Sequence, residues 1–543
     1  MRNRSLRAWP LAAVVGLLLL PAMAARGENE GQAELDQATE TKLSAQSMQD
    51  LTEVVKLIEE AIDKGLDEEN TLFAKQLLSA TLRQRGTLVG NVAIGLGPRH
   101  PQFGLLRAQA LSDLRRSMEA VAPGEDAPAE AAAASQPPET LLLVARLNML
   151  PGGDVDAAKK AIAEGLEQEI DDPRVRSEFL TLRAAMADDV KEKRRLLDEA
   201  VESAPNSAAA MRTRGLLLAD QGQAEEALDD FNAALRLDAD HAATHEAKAI
   251  VLTQLERYDE ALKTLDDLAK LEPQSIAPLL QKARIHLLQD NHTGALEQLN
   301  AAGKLQPENL RILLLRAGVH DEVGDRALAL DDVEQALKLK PGFAPAVRLK
   351  ATLLADDEKF DQAIAELKRL SDDGPPDNLT LLQLGMLQSA AKQSAEAVET
   401  YRKVLKTQPD NWLALRGLGD ALLNLGRHEQ AIAQYEKALK ENPEAVGVLN
   451  NLAWVLATSP KDGVRDGRRA VELATKASEL TDHEEAHILS TVAAAHAESG
   501  DFDKALEWIE KGLARATDEQ REPLRKEQES YRRKEPWREL LSE

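Results

Sequence analysis

The feature that most constrains this chain is a repeat of 34 residues that keeps its register through the middle of the sequence. Four columns recur together: a small residue, an alanine twelve positions later, a large apolar residue four positions after that, and a proline near the end of the repeat. The columns hold Gly215, Ala249, Ala283, Ala317, Ala351, Gly385 and Gly419; Ala227, Ala261, Ala295, Ala329, Ala363, Ala397 and Ala431; Phe231, Leu265, Leu299, Val333, Leu367, Tyr401 and Tyr435; and Pro273, Pro307, Pro341, Pro375, Pro409 and Pro443. A period of this length predicts a stack of similar units rather than one globular core.

Each repeat has the pattern of two antiparallel helices. Two apolar-periodic stretches of about a dozen residues lie between successive prolines, and each would be about 18 Å long as a helix. A short break such as Gly222-Gln223 separates them. The small residues allow the two helices to approach closely, and the large apolar residues fill the seam beside them. Proline cannot continue the second helix because it lacks an N–H group. The sequence therefore predicts an all-α fold.

With these columns the chain resembles the tetratricopeptide repeat (TPR) family, and the match is close from about Pro173 to Thr517. The resemblance implies an α-solenoid, a right-handed superhelix of antiparallel helix pairs. It also implies that the first helices of successive repeats line a concave groove that holds a peptide segment of a partner protein.

The composition excludes several classes of site. The chain has no cysteine, so disulfides, thiolate metal sites and cysteine nucleophiles are ruled out. It carries 92 acidic and 67 basic residues, a formal net charge of −25. A chain this acidic is not expected to bind nucleic acid or an anionic membrane, because phosphate recognition needs a basic face.

The N-terminus has the pattern of a secretory signal peptide. Arg2, Arg4 and Arg7 precede an apolar run at 11–20, and Ala22-Met23-Ala24 follows it. The run is too short to span a bilayer of about 30 Å as a helix, and no other stretch is long enough. We expect an exported bacterial protein, periplasmic or extracellular, without a membrane span after cleavage. An uncleaved anchor is the alternative.

The repeat register also predicts the domain organisation. The predicted segments are a signal peptide (1–24), a disordered segment (25–42), a helical region of divergent TPR-like repeats (43–120), an Ala/Pro/Glu-rich linker (121–139), divergent TPR repeats (140–207), seven regular repeats (208–445), two repeats with an insertion (446–517), and a C-terminal capping helix and tail (518–543). A polar cap is expected because a solenoid must cover its last hydrophobic face.

One motif could carry chemistry, namely the H-E-x-x-H sequence from His483 through Glu484 to His487. A zinc peptidase needs both histidines on one helix, with the glutamate beside a bound water. The repeat register instead places His483 in a loop and His487 in the first turn of the next helix. We therefore interpret the match as accidental and predict no metal site, no cofactor and no catalytic residues.

Two further patterns are interpreted as structural. The glycine-containing segment from Gly86 to Gly97 lacks the residues of a phosphate-binding or dinucleotide-binding turn, so it is predicted to be an insertion between helices. The acidic pairs Asp229-Asp230 and Asp331-Asp332 are predicted to lie on solvent-exposed faces of second helices.

The candidate binding residues follow from the groove that the resemblance implies. Positions fifteen and eleven before each alanine should face it, and the most mixed set lies between residues 348 and 454. These candidates are Arg348, Leu382, Met386, Arg416, Asp420, Asn450 and Trp454. Arginine and asparagine can bond a peptide backbone, and the apolar side chains can act as anchors. Packing of Asn451 and Trp454 between helices is the alternative. The Lys–Asn pair with which some relatives bind C-terminal carboxylates does not occur.

These features favour a non-enzymatic interaction scaffold outside the cytoplasm, with protein or peptide partners. An enzyme or enzyme subunit that uses the His483–His487 motif is the alternative class. Assistance to the folding or transit of exported proteins is a third possibility, and it is also a binding function.

Overall fold

The computed structural model describes residues 29–121, 137–372 and 377–539, and these residues form 27 α-helices and no β-strand. The chain divides into two compact units, residues 1–272 and 273–543. The predicted signal peptide lies outside the described residues, as does most of the predicted linker. None of the described helices combines the length and the apolar character that a membrane span requires.

The first unit contains twelve helices among its described residues. They are α1 (Gln32–Ser44), α2 (Met48–Lys64), α3 (Glu68–Leu96), α4 (Phe103–Ala120), α5 (Pro138–Met149), α6 (Val155–Leu166), α7 (Pro173–Met186), α8 (Val190–Ser203), α9 (Ala208–Asp220), α10 (Ala224–Leu237), α11 (Ala242–Gln254) and α12 (Tyr258–Leu271). From α5 onward each odd-numbered helix pairs with the even-numbered helix that follows it, and the odd-numbered helices also contact one another in order.

The second unit contains fifteen helices in the part that the structure describes. They are α13 (Ala277–Leu288), α14 (His292–Leu305), α15 (Leu310–Glu322), α16 (Arg326–Leu339), α17 (Ala344–Asp356), α18 (Phe360–Asp372), α19 (Asn378–Ala390), α20 (Ser394–Thr407), α21 (Trp412–Asn424), α22 (His428–Glu441), α23 (Val446–Thr458), α24 (Gly467–Glu479), α25 (Ala486–Glu498), α26 (Phe502–Arg515) and α27 (Asp518–Arg532). In this unit each odd-numbered helix from α13 to α25 again pairs with the even-numbered helix that follows it. A 3₁₀ turn at Asp462–Val464 lies between α23 and α24. Helix hairpins thus stack in each unit, and the predicted all-α solenoid is confirmed.

One turn position ends the first helix of every regular repeat. It has φ between 55° and 81° in all seven repeats, at Gly222, Glu256, Asp290, Gly324, Glu358, Lys392 and Gly426. A left-handed residue just beyond a helix lets the following N–H groups satisfy the helix's last carbonyls. Four of these seven positions are not glycine, so the chain adopts this costly conformation even where the side chain disfavours it.

The residue columns have the roles that the sequence predicted. All seven column alanines are fully buried, and the large apolar residues beside them are buried too. A Cβ atom added at Gly385 would lie 2.8 Å from a ring carbon of Tyr401, and one added at Gly419 would lie 2.5 Å from a ring carbon of Tyr435. The small residues therefore make room for the aromatic rings, which explains why the two columns recur together.

Two predictions for the N-terminal region are wrong. Residues 25–42 were expected to be disordered, but helix α1 begins at Gln32, and Leu35 and Ala38 pack in a core with α2. The segment from Gly86 to Gly97 was expected to be an insertion, but α3 runs through it to Leu96. Gly90 lies within α3 where Leu143 and Leu147 of α5 pack directly against it, and an added Cβ would lie 3.2 Å from either side chain.

The prediction for the acidic pairs is wrong for one member of each. Asp230 and Asp332 are 6% and 3% exposed. Each accepts two hydrogen bonds from an arginine sixteen residues earlier, on the facing first helix: Arg214 for Asp230, and Arg316 for Asp332. The second helix therefore holds its partner through a forked ion pair, which combines charge with fixed geometry.

Candidate binding surface

The seven candidate residues lie on four successive first helices of the second unit. Arg348 is on α17, Leu382 and Met386 are on α19, Arg416 and Asp420 are on α21, and Asn450 and Trp454 are on α23. Helix α19 contacts both α17 and α21, and a hydrogen bond from Asn451 to Asp420 joins α21 to α23. We call this set of seven residues the first-helix surface.

At one end of the surface, Arg348 is engaged within the protein. Its guanidinium donates to Asp377 Oδ2 at 3.1 Å and to Thr380 Oγ1 at 3.4 Å. Burial raises the pKa of Asp377, but hydrogen bonds from Thr380 and the charge of Arg348 outweigh it, so the pKa lies below its usual value. Arg348 therefore holds α17 against the start of α19 and offers only its remaining N–H groups to a ligand.

The centre of the surface is open and partly apolar. Met386 is 61% exposed, whereas Leu382 is half-buried against the core of α19 to α25. Arg416 is half-exposed and lies 3.8 Å from Asp420. An exposed methionine and a half-exposed guanidinium on neighbouring helices can contact the apolar and the polar parts of a peptide.

Asp420 anchors a small polar network. It accepts a hydrogen bond from the Tyr435 hydroxyl at 2.7 Å and one from Asn451 Nδ2 at 2.9 Å. Burial, reinforced by the neighbouring carboxylate, raises the pKa of Tyr435 well above its usual value, so the hydroxyl remains a donor. The network fixes Asp420 and Asn451 in place beside Asn450.

The amide oxygen of Asn450 lacks a hydrogen-bond partner among the described residues. The residue is 9% exposed, and its Nδ2 donates to Asn451 Oδ1 at 3.4 Å. The unpartnered oxygen, Oδ1, is itself buried. A buried acceptor without a donor costs about 1–3 kcal/mol, so turning this oxygen outward to a ligand N–H would recover free energy.

Trp454 is bound by the chain's own C-terminal segment. Its indole Nε1 donates to Glu539 Oε2 at 3.0 Å, and the backbone N–H of Glu539 donates to the Thr458 carbonyl at 3.0 Å. Sequence reasoning selected Trp454 but missed Glu539, which lies 85 residues further along the chain. No periodic signal could have found this contact, because the tail lies outside the repeats.

The close packing behind the surface predicts that Gly417 does not tolerate a larger residue. Gly417 follows Arg416, and an added Cβ would lie 2.3 Å from Cζ of Tyr401. Gly417→Ala should destabilise the second unit by about 1–3 kcal/mol through overpacking, measured as a lower urea midpoint. The control Gly318→Ala lies mid-helix in α15 with no atom within 4 Å of its Cβ, and should stabilise by about 0.5–1 kcal/mol. Shifts of the same sign in both variants would contradict the overpacking at Gly417.

The H-E-x-x-H residues have separate partners. His483 lies in the turn before α25, bonds Ser478 Oγ through Nδ1 at 2.7 Å, and packs its ring against Trp508. Glu484 pairs with Arg515, and His487 is exposed near Glu485. In the part of the chain that the structure describes, no group of three or more His, Asp or Glu side chains is arranged to hold a metal ion.

Comparison with known proteins identifies the repeats. Family models described as Tetratricopeptide repeat match residues 218–285, 382–446 and 418–460. The chain is 29% identical over 131 residues to the CTR9 homolog of Arabidopsis thaliana, and 31% identical over 78 residues to the photosystem I assembly protein Ycf3 of Synechococcus sp. (strain WH7803). These matches cover 24% and 14% of this chain, and 12% and 45% of the respective relatives, so the chain spans less than half the length of either.

Among solved structures, yeast Tom70 is similar over 69% of this chain and 92% of its own, at 17% identity and a TM-score of 0.36. The family matches coincide with helix pairs whose small, alanine and aromatic columns pack as described above. Residues 218–285 and 382–460 are therefore tetratricopeptide repeats.

Proposed function

We propose that this protein is a non-enzymatic protein–protein interaction scaffold that acts outside the cytoplasm and binds an extended partner segment on the first-helix surface. The observation that carries the proposal is Asn450, a nearly buried amide on that surface whose Oδ1 has no donor among the described residues. The N-terminal signal pattern supports the location.

The chemistry of Asn450 favours a peptide backbone as its ligand. An extended segment has free backbone N–H groups, whereas most of the N–H groups of a helix are already bonded internally. Oδ1 is buried, so the Asn450 side chain must turn outward before one such N–H can be donated to it and satisfy the acceptor. Arg416, on the preceding first helix, could then bind a carbonyl or carboxylate of the same segment.

Apolar contacts would add affinity without specifying a sequence. Met386 is exposed and has a flexible thioether that adapts to different side chains. The surface therefore combines one backbone contact, one cationic contact and one adaptable apolar contact on adjacent first helices. This combination suits a scaffold that recognises a linear segment of a partner protein.

The test is capture of partner proteins from the cell envelope fraction by the purified chain. Arg416→Ala combined with Asn450→Ala should reduce recovery of the main partner at least tenfold, because two hydrogen bonds of about 1 kcal/mol or more are lost. The thermal midpoint should change little.

A matched control removes the same two side-chain types elsewhere in the second unit. Arg402 and Asn424 are exposed residues of α20 and α21 outside the first-helix surface. Arg402→Ala combined with Asn424→Ala should leave recovery unchanged. Full recovery by the Arg416/Asn450 variant would remove the proposed role of this surface.

A further inference from the structure

The chain returns to its own binding surface after the last helix. Beyond α27, residues 534–539 are not helical, and they run back to the C-terminal end of α23. Besides the two Glu539 contacts with Thr458 and Trp454, Arg538 donates to the Ala457 carbonyl at 3.3 Å and lies 2.6 Å from Glu498. The tail thus makes four polar contacts at one end of the first-helix surface.

These contacts have the chemistry of ligand recognition. Ala457 and Thr458 are the last residues of α23, so their carbonyls have no partner within the helix. The tail supplies a donor to each of them. The negative end of the helix dipole and the Glu498 carboxylate both favour the arginine. The adjacent glutamate accepts from the indole N–H. An arginine followed by an acidic residue therefore fits this place in a segment that is not helical.

Among the described residues, the row of first-helix positions is most covered toward its C-terminal end. The equivalent first-helix position is 61% exposed at Met386, half-buried at Trp454 and 2% exposed at Ala494 of α25. Ser490, one turn before Ala494, is also buried and donates to Glu527 of α27. In the last repeats, the C-terminal helix and tail therefore cover the positions that are exposed in earlier repeats.

We propose that the end of the first-helix surface around Trp454, Thr458 and Glu498 is a binding site for an extended segment in which arginine precedes an acidic residue, and that residues 534–539 occupy it in cis. A partner segment with the same pair would displace the tail. This inference rests on the proposed function, since it specifies what the partner segment must contain.

Occupation in cis sets a threshold for the partner. A segment tethered close to its site has an effective concentration in the millimolar range, so a weak contact can still be mostly formed. A free segment then binds with an apparent affinity reduced by the fraction of molecules whose site is open. Loosening the tail should therefore strengthen binding of a segment supplied in trans.

The experiment uses the full chain and a fluorescein-labelled peptide with the sequence of residues 534–539, with binding followed by anisotropy. The probe should bind the Arg538→Ala/Glu539→Ala chain at least tenfold more tightly than the unaltered chain. Adding Trp454→Phe to that chain, which keeps an aromatic ring but removes the N–H donor, should weaken binding several-fold. A probe with its own arginine and final glutamate replaced by alanine should not bind.

Equal binding to the unaltered and tail-substituted chains would overturn the inference. So would the absence of probe binding to the tail-substituted chain at about 1 mM probe, which is the range of the effective concentration of the tethered tail. Binding that is insensitive to Trp454→Phe and to the altered probe would also overturn it. Circular dichroism and the thermal midpoint establish that each variant is folded. If the probe does not bind but partner capture still depends on Arg416 and Asn450, this inference alone is rejected. If the probe binds as expected but partner capture does not depend on those two residues, the proposed function is rejected instead.

Discussion

Asp113→Ala is expected to destabilise the first unit by about 3–5 kcal/mol, because it leaves a buried arginine without its charged partner. Asp113 of α4 accepts two hydrogen bonds from Arg85 of α3, at 2.8 and 2.7 Å. The two side chains are 3% and 10% exposed. Removing the carboxylate would leave a guanidinium between packed helices with only Thr52 Oγ1, at 3.3 Å, as a neutral acceptor among the described residues.

The measurement is chemical unfolding combined with hydrogen exchange of α3 and α4, which reports the first unit separately. Glu59→Ala is the matched control, because it removes the acidic partner of Arg116 in an ion pair whose side chains are 42% and 40% exposed. That control should cost less than about 1 kcal/mol.

A double substitution separates the effect of losing the Arg85–Asp113 contact from the effect of leaving Arg85 buried and unpaired. Arg85→Met combined with Asp113→Leu replaces both charges with apolar groups, and it should recover much of the stability that Asp113→Ala loses. If the double variant were as unstable as Asp113→Ala, the cost would lie in the packing rather than in an unpaired arginine.

The sequence predicted the repeat architecture because the relevant contacts are local. Ala397 and Tyr401 are four residues apart on one helix, and Gly385 faces them from the helix just before. A fixed period of 34 residues repeats this arrangement, so the pattern of small and large residues contains the packing of each hairpin. The same register placed the candidate binding residues on successive first helices.

The polar contacts could not be predicted in the same way. Asp332 looks like any surface carboxylate in sequence, and only the fold places Arg316 against it. The contact between Trp454 and Glu539 joins a repeat to a segment outside the period. Gly90 suggests a loop because glycine disfavours helix, whereas in the fold it lies within α3, where close packing of α5 favours a residue without a side chain. In each case a tertiary contact overrides the local signal.

A second large effect is expected from pH, through Glu527 of α27. The residue is 5% exposed, and burial raises the pKa of its carboxyl from 4.5 to about 7. Ser490 Oγ donates to Glu527 Oε2 at 2.7 Å, and the Tyr531 hydroxyl lies 3.4 Å from the same oxygen, but these bonds do not offset the burial. Burial also raises the pKa of Tyr531 well above its usual value, so tyrosine stays neutral while the carboxyl titrates.

The direction of this pH effect on stability follows from proton binding. The folded state holds this proton more tightly than the unfolded state, so the contribution of Glu527 to stability is complete below pH 4.5 and is lost as pH rises through about 7. A shift of this size corresponds to about 3 kcal/mol. The packing of α27 against α25 should therefore weaken between about pH 5 and pH 8.

Glu527→Gln tests this directly, because the amide keeps an acceptor for Ser490 and cannot ionise. Hydrogen exchange of α27 in the unaltered chain should be faster at about pH 8 than at about pH 5, after correction for the intrinsic rate, and the Glu527→Gln substitution should abolish that difference. Glu529→Gln, on the exposed face of the same helix, should retain it. Identical pH dependence in the Glu527→Gln and Glu529→Gln chains would mean that another group controls the stability of the C-terminal helix.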